Sequence, residues 1–311
     1  MPSHQYRRRR SGLLLCIALA FATATSAAPL RFFAVGDLPY SSAEAELLGR
    51  LLARAAAAEP AFIVHVGDIK GGGQPCTDAR NRAIAELFRS QPVPMVYTPG
   101  DNEWTDCHRL TAGGLDPLAR LESLRRMFFA DAAVLHNGGL GLTTPDPRLP
   151  ENAWFIRDEV LFVVLHIVGS NNGWQPRNPP GHAEHKSRSH ANRALLDHAL
   201  AAGQRAGARA AVFMLHANPL FEQPNKPGYL TFKQDLGRLL DRFDGPVLVI
   251  HGDTHSYKLD RPLRDPAGGA PIARLQRLEV PGSPTVAGVW VSVDPDADEV
   301  FSVRMLYPEA R

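Results

Sequence analysis

The chain has 311 residues, 44% of them hydrophobic and 21% charged, which is enough apolar material for a large core and excludes a disordered or fibrous protein. Its 34 Lys+Arg against 32 Asp+Glu give a formal charge of +2, but Arg7, Arg8, Arg9 and Arg10 lie in an acid-free stretch at the start, so the remainder carries 34 − 4 = 30 against 32, or −2. A near-neutral body exerts no diffuse attraction on nucleic acid or on an anionic membrane, so neither is expected as a partner.

The arginine run is followed by the apolar Leu13 to Ala24 and the small residues Thr25-Ser26-Ala27-Ala28. This order predicts a signal peptide over 1–28, with an exported domain over 29–311 in the periplasm or outside the cell. About a dozen apolar residues fall short of the roughly 20 that span a bilayer, so no membrane contact is expected once the leader is cut. The exported part keeps two cysteines, Cys76 and Cys107. In an oxidising compartment an even pair favours a disulfide over two buried thiols.

From Leu30 the pattern alternates short apolar runs with helical stretches, which predicts an α/β fold. Strands are expected at Leu30 to Val35, Ala61 to Val66 and Val93 to Tyr97, with helices at Glu44 to Ala58 and Asp78 to Ser90 between them. Pro117 to Phe129 reads as helix, and Asn137 to Pro150 as a Gly/Pro-rich connection. Ala153 to Ile156 and Val160 to Val168 read as a hairpin, and Ser170 to Ser189, with its prolines, asparagines and histidines, as a long loop. The rest alternates helix at Ala191 to Ala202, strand at Ala210 to Leu215, helix at Phe232 to Phe243, strand at Val247 to Ile250, and a strand-like tail from Ile272.

Five apolar strands run into tight turns that carry Asp, Asn or His: Gly36-Asp37, Gly67-Asp68, Pro99-Gly100-Asp101-Asn102-Glu103, His216-Ala217-Asn218 and Gly252-Asp253-Thr254-His255. A single Gly-Asp after a strand is usually a turn. Several in one α/β chain should converge at the carboxyl ends of the strands, where ligand crevices form, and carboxylates with imidazoles are the donors a divalent cation needs. His65 and His251 precede their turns and are expected to pack or hydrogen-bond behind the site. His182, His185 and His190 are expected in a solvated loop. Gly71-Gly72-Gly73 lacks the Gly-Lys-Ser/Thr of a phosphate loop. Lys70, Arg80 and Arg109 are candidates to hold a phosphate.

The order of these motifs resembles the calcineurin-like metallophosphoesterases, from Asp37 to His255. The resemblance implies a two-sheet β-sandwich flanked by helices around two divalent metal ions of the Mn, Fe, Zn or Mg class. By position, Asp37 and His255 would serve the first ion, Asp68 would bridge both, and Asp101 and His216 would serve the second, with Asp253 in place of a ligating imidazole. Three departures stand out. Pro39 occupies the position of a ligating His, and the phenolate of Tyr40, one residue on, is a candidate substitute for it. Asn102 falls where the family has the His that protonates the leaving group, and a shift of one residue would make Asn102 rather than Asp101 the ligand. Asp253 makes the donor set harder and more anionic. His108 is the candidate to take over the proton donor's role.

The resemblance implies hydrolysis of a small-molecule or other phosphate ester by water activated at the metals. The alternative is a cell-envelope binding protein that keeps the fold and crevice without turnover. Substrate, metal identity and oligomeric state are left open.

Overall fold

The computed structural model describes residue 1 and residues 28–223, 225–264 and 269–309. The leader expected over 1–28 lies, but for its two ends, outside the described residues. Among the described residues no helix is long and apolar enough to cross a membrane.

Among the described residues eleven strands form two sheets: β1 Leu30–Val35, β2 Ile63–His65, β3 Met95–Tyr97, β4 Ala153–Arg157, β5 Val160–Val164, β6 Ala210–Met214, β7 Val247–His251, β8 Lys258–Asp260, β9 Leu275–Glu279, β10 Gly288–Val293 and β11 Phe301–Leu306. The first sheet has the order β11-β10-β1-β2-β3 and the second β4-β5-β6-β7-β9-β8. β1, β2 and β3 run parallel, as do β5, β6, β7 and β9. The antiparallel strands lie at the margins, with β10 and β11 beyond β1, β4 beside β5, and β8 beside β9.

Strand alternation explains the layering. Phe32, Ala34, Val64 and Val96 of the first sheet face Phe162, Val164, Val212, Met214, Leu248 and Ile250 of the second, and this apolar layer glues sheet to sheet. Phe32 stacks on Phe62 with ring centroids 4.7 Å apart, and Phe155 stacks on Phe162 at the same separation. The opposite faces take the helices. Phe33, Val35, Ile63 and Tyr97 pack on Leu48, Leu51, Leu52, Phe88 and Leu124 from helices Ser42–Ala56, Asp78–Arg89 and Pro117–Phe128. Val163, Phe213 and Val249 pack on Leu196, Leu200, Leu236 and Leu240 from helices Pro179–Arg205 and Pro227–Leu240. The result is the expected two-sheet α/β sandwich with helices on both outer faces.

One expectation fails. Much of Ser170 to Ser189 is not loop: a helix begins at Pro179 and runs unbroken to Arg205. Pro179 and Pro180 stand in its first turn, where a missing N–H costs nothing and the fixed φ favours the helix. The inward face of its first half carries His185, Arg188 and Asn192, all buried, so the apolar periodicity that announces a helix is absent there. Consequently His182, His185 and His190 sit on a helix rather than in a solvated loop, and His185 Nδ1 faces the Asn172 carbonyl at 2.9 Å. The short helix Ala132–Leu135 and strand β8 were not expected either.

Cys76 and Cys107 form a disulfide with Cα atoms 5.8 Å apart, both side chains fully buried. It joins the loop after β2 to the 3₁₀ turn Thr105–His108 that follows β3.

Candidate metal centre

The carboxyl ends of the parallel strands in both sheets meet at one place. β1, β2 and β3 deliver Asp37, Asp68 and Asp101 from one sheet. β6 and β7 deliver His216, Asp253 and His255 from the other. Asp37, Asp68 and Asp101 are buried, His216 is fully so, and Asp253 and His255 are half-buried. Asp37, Asp68, Asp253 and His255 all adopt positive φ, at 53, 55, 80 and 61°. Such conformations cost non-glycine residues free energy, and clustering of them marks a place where side-chain position outweighs backbone comfort. Gly67, at φ 93°, lets β2 turn: a Cβ there would come 2.8 Å from Gly100 Cα and 2.9 Å from His216 Nδ1.

Asp37, Asp68 and His216 each offer one donor atom within 4.8 Å of the others, and so do Asp101, His216 and Asp253. His216 Nε2 stands 2.9 Å from Asp101 Oδ1 and 3.4 Å from Asp68 Oδ1. His255 Nε2 lies 3.7 Å from Asp37 Oδ1. The six residues expected as ligands are therefore brought together, although His216 rather than His255 is the imidazole near enough to serve both groups.

Asn102 is turned differently from Asp101. Its backbone N–H donates to Asp68 Oδ1 at 3.0 Å, and its amide Nδ2 donates to Asp68 Oδ2 and, at 3.2 Å, to the Tyr40 hydroxyl. Asp101 is the one of the two that meets His216. His108 is exposed, and its Nδ1 turns back to the Thr105 carbonyl at 2.7 Å. The structure does not bring it into the cluster. His65 and His251 stay behind the turns, as expected. His65 Nδ1 accepts from Gly67 N at 3.2 Å while its Nε2 faces Leu38 O at 3.0 Å, and burial lowers the ring to about 4. His251 Nδ1 faces Gly252 O at 2.8 Å, and burial lowers that ring to about 3.

Several supporting roles escaped the sequence reading, including that of Glu103, which figures in it only as part of the third turn's motif. The buried Glu103 accepts at one oxygen from Asp68 N (3.1 Å), Gly100 N (2.6 Å) and the Tyr97 hydroxyl (2.9 Å), fixing two metal-bearing turns together. Ser170 Oγ lies 2.9 Å from Asp101 Oδ2 and 2.8 Å from Asp106 Oδ1. One hydroxyl hydrogen cannot serve two carboxylates, so the second contact calls for a proton on Asp106, whose carboxyl is lifted to about 7 by burial and then by the charge of Asp101. Arg109 completes this strut, with Nη2 2.7 Å from Asp106 Oδ2. Ser170, Asn171 and Asn172 all take left-handed conformations, a run that only spatial context could reveal. Arg188 holds it in place, donating to Asn172 Oδ1, to Asn172 O (2.9 Å) and to His166 O (3.1 Å).

The electrostatics ask for a cation. Burial lifts Asp37 to about 8 and Asp253 to about 6, each against the pull of His216. Burial also drives Asp68 well above the carboxylate range, reinforced by Asp101 and Glu103. Burial pushes Asp101 up too, but the hydrogen bond and charge of His216 hold it at about 2. His216, which burial alone would neutralise, is raised well above its ordinary value by Asp68 and Asp101. Its Nδ1 lies 2.8 Å from the Val66 carbonyl, which only accepts, so Nδ1 carries a hydrogen and Nε2 points at carboxylate oxygens. That face is tolerable only with a proton or a metal ion on Nε2, and an oxygen-rich set with two imidazoles fits divalent cations of the harder kind.

A model of the family described as calcineurin-like phosphoesterase matches residues 30–257. The chain belongs to this family. The match takes in the turns at Asp37, Asp68, Asp101, His216, Asp253 and His255. Comparison with curated proteins found no match. Among solved structures, a dimetal phosphatase from Danio rerio is similar at 12% identity, over 90% of this chain and 100% of that one, with a TM-score of 0.53. PhoD is similar at 13% identity, over 91% of this chain and 70% of that one, with a TM-score of 0.55. At these identities the likeness concerns the fold.

Proposed function

We propose that this protein is an exported, metal-dependent phosphoesterase that hydrolyses a phosphate ester by direct attack of water. The observation that carries the proposal is the meeting of Asp37, Asp68, Asp101, His216 and Asp253 in two donor groups that share His216, with His255 Nε2 3.7 Å from Asp37 Oδ1, within a family of phosphoesterases. Asp37, Asp68 and His255 would hold one cation, and Asp68, Asp101, His216 and Asp253 the other. Two divalent cations, when bound, supply Lewis acidity at the phosphoryl oxygens and a more acidic water.

The chain's own residues set the rest. Asp68 is held from three sides, by the Asn102 N–H, the Asn102 amide and the Tyr40 hydroxyl, which leaves its two oxygens aimed at different neighbours. The Val66 carbonyl fixes the His216 ring so that Nε2 faces inward. Asn102 has both amide hydrogens committed to Asp68 and Tyr40 and no proton to give as imidazolium does, and His108 is turned away. A substrate with a good leaving group needs the least help, so such substrates should be favoured. The disulfide, the arginine run and the apolar stretch after it support export.

The test is metal analysis of the purified protein followed by turnover of a generic phosphomonoester and phosphodiester with added manganese. Manganese-dependent release of alcohol, abolished by chelation, is the expected result. Two bound ions without turnover would instead support the non-catalytic binding protein that Pro39 and Asn102 also suggest, and failure to bind any metal would defeat both readings.

A further inference from the structure

The turn after β7 carries two donors of the centre, Asp253 and His255, at φ 80 and 61°, with Thr254 between them. Left-handed conformations at two such residues persist only where the surroundings over-determine them. The side-chain bonds that hold this turn divide into two kinds. Those at Asp253 and His255 run through donors of the centre: Asp253 N donates to both Asp37 oxygens at 3.1 Å, Asn218 N donates to Asp253 Oδ2 at 3.0 Å, and His255 Nδ1 faces the Ser283 carbonyl at 2.8 Å. The other kind engages no donor. Thr254 Oγ1 and, at 3.3 Å, Ser256 N both donate to Oε1 of Glu279.

Glu279 is fully buried at the carboxyl end of β9, in register with His251 of β7 and Lys258 of β8. Its second oxygen, Oε2, is buried with no hydrogen-bond partner among the described residues. Neither neighbouring cation pairs with it: Arg277, two residues back on the strand, is committed to Asp260 and Glu222, and Lys258 makes no ion pair among the described residues. A buried carboxyl that satisfies only one oxygen is a poor device for stabilising a fold, because what its bonds return does not offset its desolvation. Its presence is explained by what the satisfied oxygen holds, which is the backbone on either side of His255.

We propose that Glu279 is a positioning residue for the metal centre, setting the turn through Thr254 so that Asp253 faces one cation and His255 the other. Thr254 stands between the two donors, so one clamp serves both ions although neither Thr254 nor Glu279 is itself a donor. This is the behaviour of an outer partner that orients ligands it does not replace. The assignment rests on the metal-dependent reading above.

The test titrates manganese by calorimetry into the parent, Thr254→Val, Thr254→Ser and Glu279→Leu, and melts each chelated protein. The parent should bind two ions. Thr254→Val keeps the shape and loses the hydroxyl, and should weaken both sites by about 10–100-fold. Thr254→Ser restores the donor and should bind like the parent. Glu279→Leu should weaken both sites as well while melting no lower than the parent, since an apolar side chain replaces a half-satisfied carboxyl. A merely structural role predicts the reverse, a lower melting temperature with metal affinity intact. Parent-like affinity in Thr254→Val or Glu279→Leu, a loss confined to one ion, or a Thr254→Ser protein as weak as Thr254→Val would each overturn the assignment while leaving the metal centre in place. A parent that binds two ions without turnover would defeat the phosphoesterase reading and leave the clamp to be judged by the same titrations, whereas a parent that binds none would overturn both.

Discussion

Removing the Cys76–Cys107 disulfide should destabilise the fold by an amount that follows from the chain alone. The bridge closes a separation of 31 residues. Loop-closure entropy for that length is about 12 cal/mol/K, or about 3.7 kcal/mol at 25 °C. A domain of this size unfolds with an entropy of roughly 0.6 kcal/mol/K, so the melting temperature should fall by about 6 °C. The damage should not stop at stability. The two sulfurs lie 3.4 and 3.7 Å from the Asn102 carbonyl oxygen, and Asn102 is the residue whose N–H and amide orient Asp68. The assay is thermal unfolding of the chelated Cys76→Ala/Cys107→Ala protein beside its parent, followed by manganese titration of both. A drop of less than about 2 °C would refute the entropic account. Parent-like manganese affinity in the variant would refute the link from the bridge through Asn102 to the metal centre.

Asp68→Asn should lose both manganese ions together, whereas Asp37→Ala should lose chiefly one; parent-like stoichiometry and affinity in Asp68→Asn, read by calorimetry, would remove the bridging role. Gly169→Ala should cost the second ion while sparing the first, because its Cβ would overlap Asp101 Oδ1 and come 2.6 Å from Asp253 Oδ1. Counting bound manganese checks this. Acid should act through the buried Glu151. Burial would raise its carboxyl, but His166 and then Arg125 hold it at about 2 against an ordinary 4.5, so between these values the unfolded chain binds the proton and the fold does not. Stability therefore falls as pH drops through that window, by about 3 kcal/mol in all. The His166 ring, lowered by burial despite Glu151, adds a loss of the same sign below its ordinary 6.5. Urea unfolding of Glu151→Gln at pH 6, 4 and 3 should show a shallower decline than the parent, and equal slopes would contradict the argument.

The sandwich was readable because its strands are runs of apolar residues closed by Gly-Asp turns. Period and punctuation agree there, and expected boundaries such as Leu30 to Val35 and Asp78 to Ser90 fall within a residue of the observed ones. The first half of helix Pro179–Arg205 was unreadable for the opposite reason, since its buried face is His185, Arg188 and Asn192, held by partners far away in sequence. The six strand-end donors were visible as residue types at turns. What could not be read is direction. Whether Asp101 or Asn102 meets His216 depends on one turn's backbone, and His108 looked available until the structure showed it bonded to Thr105. Ser170 and Asp106 were hidden because a hydroxyl between two carboxylates leaves no local signature. Their 64-residue separation is closed only by the tertiary fold.

Asp37, Asp68 and Asp101 belong to one sheet, and His216, Asp253 and His255 to the other, so the centre straddles the seam between two layers. Neither layer holds a complete donor set, and capture of an ion must therefore await their docking. A metal taken up there acts as a rivet, and its binding energy is spent against separation of the sheets, so the bound form should open last where the free form opens early. The timing also bears on which metal is acquired. A chain that crosses a membrane unfolded meets its ion only where folding ends, and is loaded with whatever that compartment offers. A chain exported already folded carries out the metal of the cytoplasm.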